Sequence, residues 1–262
     1  KDSPDVEAEV IVIDNFSTDG SQEMLRSIKG VKACFNPENR GYPAANNQGL
    51  SVSQGKYVLF LNSDVIVNHV NFSALCDYLD KETSVGAMTV KVFLPSGQLD
   101  WASHRGFPTL WNSFTYFTKL EKIFGRLPFL GRLFGGYHLS YLSLDTTHEI
   151  DSPTGAFFLA RREILRDLKG FDESYFMYGE DIDLAYRIKK KGYRIIFYPK
   201  FSVTHLKYSS GLKKNDKSIN GQTKNYFFEA MKIFYRKYYA PKRSLFFNSL
   251  VYFLIDLKKK FS

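Results

Sequence analysis

The sequence predicts an α/β fold: a mostly parallel central sheet flanked by helices. Three observations carry that expectation. Short apolar runs rich in β-branched residues recur at Val10–Ile13, Val31–Phe35, Tyr57–Leu61 and Val85–Val92. Helix-patterned segments separate them, and strands alternating with helices at this spacing pair in parallel through helical crossovers. The chain is 44% hydrophobic and 24% charged over 262 residues, which suits one large core, alone or with an appendage.

Taken in order, Val10–Ile13 is a buried strand followed by the turn-rich run Asn15–Gly20. Ser21 is placed to cap a helix over Gln22–Ile28. After the strand Val31–Phe35, Pro43 suits the first turn of a helix that runs to about Ser53. Tyr57–Leu61 is the third strand. The helix Phe72–Lys81 carries Phe72, Leu75, Cys76 and Leu79 on one face, and Val85–Val92 is the fourth strand. Pro95–Ile150 is less regular. It holds Trp101, Trp111 and a Gly/Phe/Leu-rich stretch at Phe124–Gly136, so loops and short helices are expected there. Thr154–Arg161 reads as a strand. Glu180–Lys191 reads as a helix ended by Gly192, and Arg194–Tyr198 as a strand stopped by Pro199. Beyond His205 the pattern is basic, aromatic and helical. No internal repeat is present.

The net charge of +9 is unevenly placed. From Lys207 onward, 13 Lys and Arg face only Asp216, Glu229 and Asp256, a balance of +10 that leaves the rest of the chain at −1. The tail, not the body, therefore calls for an anionic partner. Its cations alternate with Tyr226-Phe227-Phe228, Phe234-Tyr235, Tyr238-Tyr239, Phe246-Phe247 and Val251–Leu254. Such a helix can lie on an anionic membrane surface, or pack on the body with a solvated basic face. Cys34 and Cys76 give neither a disulfide framework nor a metal spacing, and both are expected to be buried thiols in a reducing compartment. No apolar run reaches the roughly 20 residues needed to span a bilayer. No secretory signal opens the sequence. It begins at Lys1, almost directly on a strand, and reads as a piece of a longer protein.

Five groups of residues are suited to chemistry. Asp14, Asn15, Ser17 and Asp19 follow the first strand, where carboxylates and amides can bind a nucleobase or ribose; the same residues also make a plain capped turn. In Asn36–Asn47, the run around Arg40, Gly41 and Asn46 lets a diphosphate approach a helix N-terminus, or caps an ordinary helix. Asn62-Ser63-Asp64 ends the third strand. One carboxylate there can hold Mg²⁺ or Mn²⁺ with diphosphate oxygens and waters, or the segment is only a turn. Glu180, Asp181 and Asp183 open a helix, where the dipole favours acids whatever their role. The flanking Phe176, Tyr178 and Gly179 make a partly apolar mouth in which a carboxylate can serve as general base. His205 can complete a metal site or be structural. In a parallel sheet, Asp14 and Asp64 would share the rim where ligands bind. No Ser–His or Cys–His arrangement argues for an enzyme nucleophile.

In sequence order, VIVIDNFSTDGS (Val10–Ser21), NPENRGYPAANNQGL (Asn36–Leu50), GKYVLFLNSDV (Gly55–Val65), TGAFFLARREIL (Thr154–Leu165), GFDESYFMYGEDIDLAYRIKKKGY (Gly170–Tyr193) and His205 resemble the family-two glycosyltransferases of the GT-A fold. The likeness is strongest to rhamnosyltransferase-like members that build bacterial polysaccharides. The resemblance implies a Rossmann-like GT-A domain over residues 1–206, lacking the first strand and helix of the family. Its nucleotide-binding half would end near residue 94, its acceptor half would follow, and residues 207–262 would form a helical tail. Asp14 and Asn15 would lie against the nucleoside. Asp64 matches the last aspartate of the family's Asp-x-Asp metal motif, and Asn62 stands at its first position, a change common in this subfamily. His205 matches a C-terminal histidine of the metal or diphosphate site. Asp181 matches the aspartate of the Glu-Asp motif, the expected base. Gly155 and Ala156 match a turn lining donor sugar and acceptor, and Tyr178 and Glu180 are assigned to the same region.

The implied reaction is an inverting displacement from a dTDP- or UDP-linked sugar, with rhamnose suggested by subfamily likeness. The acceptor would be a hydroxyl of a growing cell-surface glycan, free or carried on a lipid diphosphate. The cofactor would be Mg²⁺ or Mn²⁺. The location would be cytoplasmic, peripheral at the inner face of the plasma membrane. The rival class is a non-catalytic nucleotide-sugar binder, or a nucleic-acid binder using the basic aromatic tail. Because the motifs lie in the slightly acidic body, no nucleic-acid partner is expected.

Overall fold

The computed structural model of the protein describes residues 6–207 and 217–261. Its first part holds β1 (Val10–Asp14), α1 (Ser21–Ser27), β2 (Val31–Phe35) and α2 (Tyr42–Val52). Next come β3 (Tyr57–Leu61), β4 (Val65–Val67), α3 (Phe72–Lys81) and β5 (Val85–Phe93). The irregular middle contains α4 (Leu110–Phe117), α5 (Leu120–Phe124) and α6 (Gly131–Phe134), as the lack of periodicity predicts. Then follow β6 (His148–Ile150), β7 (Phe157–Arg161), α7 (Arg162–Asp167), α8 (Glu180–Lys190) and β8 (Arg194–His205). The last helices are α9 (Lys217–Tyr238) and α10 (Leu245–Lys260).

Among the described residues the chain forms two compact units. One takes in residues 6–8, 54–168 and 184–207; the other takes in 9–53, 169–183 and 217–261. The first holds a six-stranded sheet of order β3-β7-β5-β8-β4, with β6 also paired to β8. The second holds the two-stranded sheet β1-β2.

The strand directions correct the expected mostly parallel sheet. β1–β2 and β5–β8 are parallel, whereas β3–β7, β5–β7, β4–β8 and β6–β8 are antiparallel. Parallel neighbours need a crossover long enough to return the chain to the same end. The α1 connection supplies one for β1–β2. β7 arrives only after the irregular middle, and it runs against both β3 and β5. A further difference is that β1 and β3 do not share a sheet: β1 pairs with β2, and β3 with β7.

The core of the first unit joins Leu75 and Leu79 of α3, Val85, Met88, Val90 and Val92 of β5, Phe157 and Leu159 of β7, and Ile196 and Val203 of β8. α3 starts where Asn71 accepts the Ala74 N–H at 2.9 Å, and it buries Leu75 and Leu79 as its periodicity predicts. Cys34 and Cys76 are free and half-buried rather than buried.

Pro199 does not stop β8. The β5–β8 register jumps from Thr89↔Phe197 to Lys91↔Ser202, which puts Pro199 in the irregular stretch, where no ladder N–H is required of it. The strand therefore continues to His205 and pairs it with Val65 of β4. Among the described residues, no helix is long and apolar enough to cross a membrane.

Candidate active site

In the first unit, Asn62, Asp64, Gly155, Ala156 and His205 come together. The register Leu61↔Phe157 brings the turn after β3 to the turn before β7. There the Asn62 N–H donates to the Ala156 carbonyl at 3.3 Å, and the Val65 N–H donates to the Asn62 carbonyl at 3.2 Å. Gly155 and Ala156 are buried. On the other side, the pairing Val65↔His205 sets His205 beside Asp64. The Leu206 N–H donates to the Asp64 carbonyl at 2.8 Å, and His205 Nε2 lies 3.3 Å from Asp64 Oδ1. Both side chains are buried, Asp64 at 6% and His205 at 8% exposure.

Sequence reasoning missed Asp100. This buried carboxylate accepts from His205 Nδ1 at 3.1 Å and from Lys207 Nζ at 2.9 Å. Burial works against its charge, but the bonds from His205 and Lys207 outweigh that and hold its pKa well below the usual carboxylate range. With Nδ1–H committed to Asp100, His205 turns Nε2 toward Asp64. The only sequence signal for Asp100 was its place in an irregular segment, 105 residues from its partner.

The Asp64–His205 pair fits a divalent ion. Two cis ligands on an octahedral ion with bonds of about 2.1 Å stand roughly 3 Å apart. The separation of 3.3 Å between a carboxylate oxygen and an imidazole nitrogen is close to that. Among the described residues, no three His, Cys, Asp or Glu side chains are arranged to hold a metal, so this is a two-ligand arrangement.

The second unit holds the other candidates. Asp14 is buried at the end of β1 and accepts from the Ser17 N–H at 3.1 Å and Gln22 Nε2 at 2.8 Å. Burial raises its pKa, but these bonds win and lower it. Asn15 uses both ends of its amide on the loop 36–41. Its Nδ2 donates to Asn39 Oδ1 at 2.9 Å and to the Gly41 carbonyl at 3.2 Å. Its Oδ1 accepts from Asn36 Nδ2 at 3.0 Å and the Arg40 N–H at 3.1 Å. Gly20, not Ser21, stands at the N-cap of α1 and no side chain caps it; Asp19 accepts from the Ser21 N–H at 3.2 Å. Asn46 Nδ2 donates back to the Tyr42 carbonyl at 2.9 Å. Asn15 is thus the clasp that fixes the loop carrying Arg40 and Gly41, whereas the Asp14 and Asp19 side chains bond within their own turn.

That loop is tied to the Glu-Asp segment. Gly41 has φ of 83°, and a Cβ there would stand 2.7 Å from the Phe176 carbonyl oxygen, so only glycine fits. The Tyr42 N–H donates to the same oxygen at 2.9 Å. Tyr178 and Gly179 also adopt positive φ, turning the chain into α8. Glu180 and Asp181 are buried in its first turn, and Asp181 Oδ1 accepts from the Ile182 N–H at 2.7 Å.

The neighbouring Asp183 has a different environment. It accepts from Lys237 Nζ, from Tyr238 Oη at 2.7 Å and from Tyr175 Oη at 3.4 Å. Lys237 also donates to Asp172. Phe176 stacks on Tyr226 at 4.7 Å between ring centroids, and Tyr178 meets Phe227 edge-on. α9 is thus packed on residues 172–183 and buries Phe228, Phe234 and Tyr235. For α9 this is the second of the two readings given to the tail, a helix packed on the body.

A family model described as glycosyl transferase family 2 matches residues 2–168. Another, described as the N-terminal domain of galactosyltransferase, matches residues 137–209. Among curated relatives, the N-acetylglucosaminyl-diphospho-decaprenol L-rhamnosyltransferase of Mycobacterium tuberculosis is 28% identical over 210 residues, 76% of this chain and 66% of that protein. Rhamnosyltransferase WbbL of Escherichia coli strain K12 is 27% identical over 195 residues, 72% of this chain and 63% of WbbL. The chain therefore spans just under two thirds of the length of these relatives. Among solved structures, GalNAc-T7 with UDP, GalNAc and Mn²⁺ superposes with a TM-score of 0.55 at 16% identity, covering 97% of this chain and 49% of that one. The Staphylococcus aureus protein TarS 1-349 does so with a TM-score of 0.52 at 17% identity, covering 86% and 54%. These likenesses carry the fold, that of the GT-A glycosyltransferases. The family match runs over more than half of the sequence, and the chain belongs to glycosyl transferase family 2.

Proposed function

We propose that the chain is the catalytic part of an inverting glycosyltransferase that moves a sugar from a nucleotide-diphosphate donor to a hydroxyl of a bacterial cell-surface glycan. The observation that supports this best is the buried Asp64–His205 pair, oriented by Asp100 and separated by a distance suited to one divalent ion. Bound there, Mg²⁺ or Mn²⁺ would offset charge on the leaving diphosphate. Asp64 and His205 Nε2 are the protein ligands in this reading, with Asn62 beside them on the donor side.

In the second unit, Asp14, Asn15, Ser17 and Asp19 hold the nucleoside-binding turn. Arg40, Gly41 and Asn46 serve the diphosphate. Gly155 and Ala156, with no side chain beyond Cβ, leave room for the donor sugar, and Tyr178 and Glu180 contact sugar or acceptor. Asp181 takes the proton from the acceptor hydroxyl as its oxygen bonds to the anomeric carbon and the bond to diphosphate breaks. Asp183 serves structure, given its tie to α9.

Two of the curated relatives are named rhamnosyltransferases, one of them for an N-acetylglucosaminyl-diphospho-decaprenol. We therefore favour dTDP-rhamnose as donor and a lipid-diphosphate-linked glycan as acceptor, with UDP-sugars the competing donors. α10 supports a peripheral position on the cytoplasmic face of a membrane. Its Leu245 and Phe246 are almost fully exposed, and Lys242, Arg243 and Lys258–Lys260 flank the helix.

A panel of nucleotide sugars, titrated calorimetrically into the full-length protein with and without Mn²⁺, tests this. One donor should bind in a Mn²⁺-dependent way, and Asp64→Ala should abolish that dependence. Binding without transfer to any glycan acceptor would favour a non-catalytic role, and no binding at all would overturn the reading.

A further inference from the structure

Residues 110–133 of the first unit present an apolar tip that the catalytic reading does not use. α4, α5 and α6 come together through glycines. A Cβ on Gly125 would stand 3.1 Å from the Gly135 Cα, and one on Gly135 would stand 2.7 Å from the Gly125 carbonyl oxygen. Gly131 is similarly enclosed, with the Gly125 carbonyl oxygen 2.9 Å from the position of a Cβ. Contact of backbone on backbone leaves little interior for large side chains. Trp111 fastens the outer helices by donating Nε1–H to the Leu133 carbonyl at 2.6 Å, and Phe134 fills the small space between Trp111 and Phe124.

Leu110, Phe117 and Leu120 are partly buried, and other apolar side chains of the segment face water. Phe129, in the turn between α5 and α6, is 101% exposed, and Ile123, Leu127, Leu130 and Leu133 are exposed around it. Lys119, Lys122, Arg126 and Arg132 are exposed in the same segment. The one acid between residues 101 and 144 is Glu121, and it is buried and occupied by the backbone N–H and Nδ1 of His138. The segment is thus apolar at its tip and cationic around it, with no exposed acid within residues 101–144; the exposed Asp145 that follows is paired with Lys91.

We propose that residues 110–133 dock on an anionic lipid bilayer, with Phe129 and its apolar neighbours in the headgroup boundary and the four cations on lipid phosphates. The charge pattern argues for this occupant. Bulky apolar residues at a turn, with cations on its flanks, match the layered polarity of a membrane surface. This contact uses a different unit and different residues from α10, so it does not depend on the reading of that helix.

Flotation of the full-length protein with phosphatidylcholine vesicles, with and without phosphatidylglycerol, tests it. The double variant Phe129→Ser/Leu130→Ser should lower the partition onto anionic vesicles about tenfold. Arg126→Gln/Arg132→Gln should lower it about 25-fold on anionic vesicles alone, since each cation near the surface contributes roughly fivefold. Phe129→Trp should show blue-shifted emission on anionic vesicles, quenched by brominated lipid. Circular dichroism and nucleotide-sugar binding should be unchanged in all three. Wild-type partition from both tip variants, or no shift from Phe129→Trp, would overturn the proposal. Loss confined to Leu245→Ser/Phe246→Ser would leave only the α10 contact standing, and loss confined to the tip variants would leave only this one.

Discussion

Lys237 donates to the carboxylate of Asp183, a side chain with no exposure to solvent. The two residues are 54 positions apart, and Asp183 stands two residues beyond Asp181. A helix from the basic tail therefore supplies the counter-charge that lets an acid be buried at the start of α8. Removing one partner of such a pair leaves an uncompensated buried charge, which costs about 3–5 kcal/mol when both partners are fully enclosed. Lys237 retains 28% exposure, so the expected loss for Lys237→Met is smaller, roughly 2–3 kcal/mol. Urea unfolding should record it, and Lys237→Met/Asp183→Asn should recover part of the loss. An unchanged midpoint in the single variant would mean that this tie does not stabilise the fold.

The second prediction concerns Asp100. Its carboxylate holds His205 Nδ1, so Asp100→Ala should leave the imidazole free to turn away from Asp64. Partners of this kind contribute about 10–100-fold in metal affinity. Mn²⁺ binding, followed by calorimetry or by the electron spin resonance of the free ion, should weaken by that factor while the fold persists. Asp100→Asn retains an acceptor oxygen for Nδ1–H and should lose less. Equal Mn²⁺ affinity in wild type and Asp100→Ala would exclude the positioning role.

The third concerns Asp181. General-base assistance typically contributes 10²–10⁴-fold, so Asp181→Asn should lower turnover by about that much. The substitution preserves size and an acceptor for the Ile182 N–H, so the donor dissociation constant should stay within about twofold by calorimetry. Near-normal turnover in this variant would sink the assignment of the base.

The features legible in the sequence were those with local causes. β1, β2, β3 and β5 lie within a residue of their apolar runs, and α3 follows its cap and its stripe. The Asn62–Asp64 turn and the start of α8 are likewise short segments whose residue types advertise their conformation. What escaped was set by partners far along the chain. Pro199 is a stop signal within five residues of sequence, yet the sheet absorbs it in an irregular stretch and carries β8 on to His205. The direction of β7 depends on how an irregular segment of more than 50 residues returns the chain, and no periodicity encodes that. Asp100 and Lys237 were invisible for the same reason: a buried hydrogen bond across 105 or 54 residues leaves no pattern around either partner.

The last prediction is a pH dependence of stability, and it rests on His104. This fully buried ring sets its Nδ1 2.8 Å from the His138 carbonyl and its Nε2 2.7 Å from His148 Nε2. Burial, reinforced by the neighbouring His148 and His138, pushes its pKa down to about 4. Burial also lowers His148, whose Nδ1 faces the Thr146 carbonyl at 2.8 Å, while His138 is engaged by Glu121. An unfolded histidine titrates near pH 6.5, so between about pH 4 and pH 6.5 the unfolded chain binds a proton that folded His104 does not. Stability should therefore rise with pH across that window and be fully present above it. Acidification from pH 7 to pH 4 should cost about 3 kcal/mol through this group. His104→Asn keeps a donor for the His138 carbonyl and has nothing to titrate, so its stability should fall less over the same range. Urea midpoints at pH 7, 5.5 and 4 measure both slopes, and parallel slopes in the two proteins would assign the acid sensitivity to other groups.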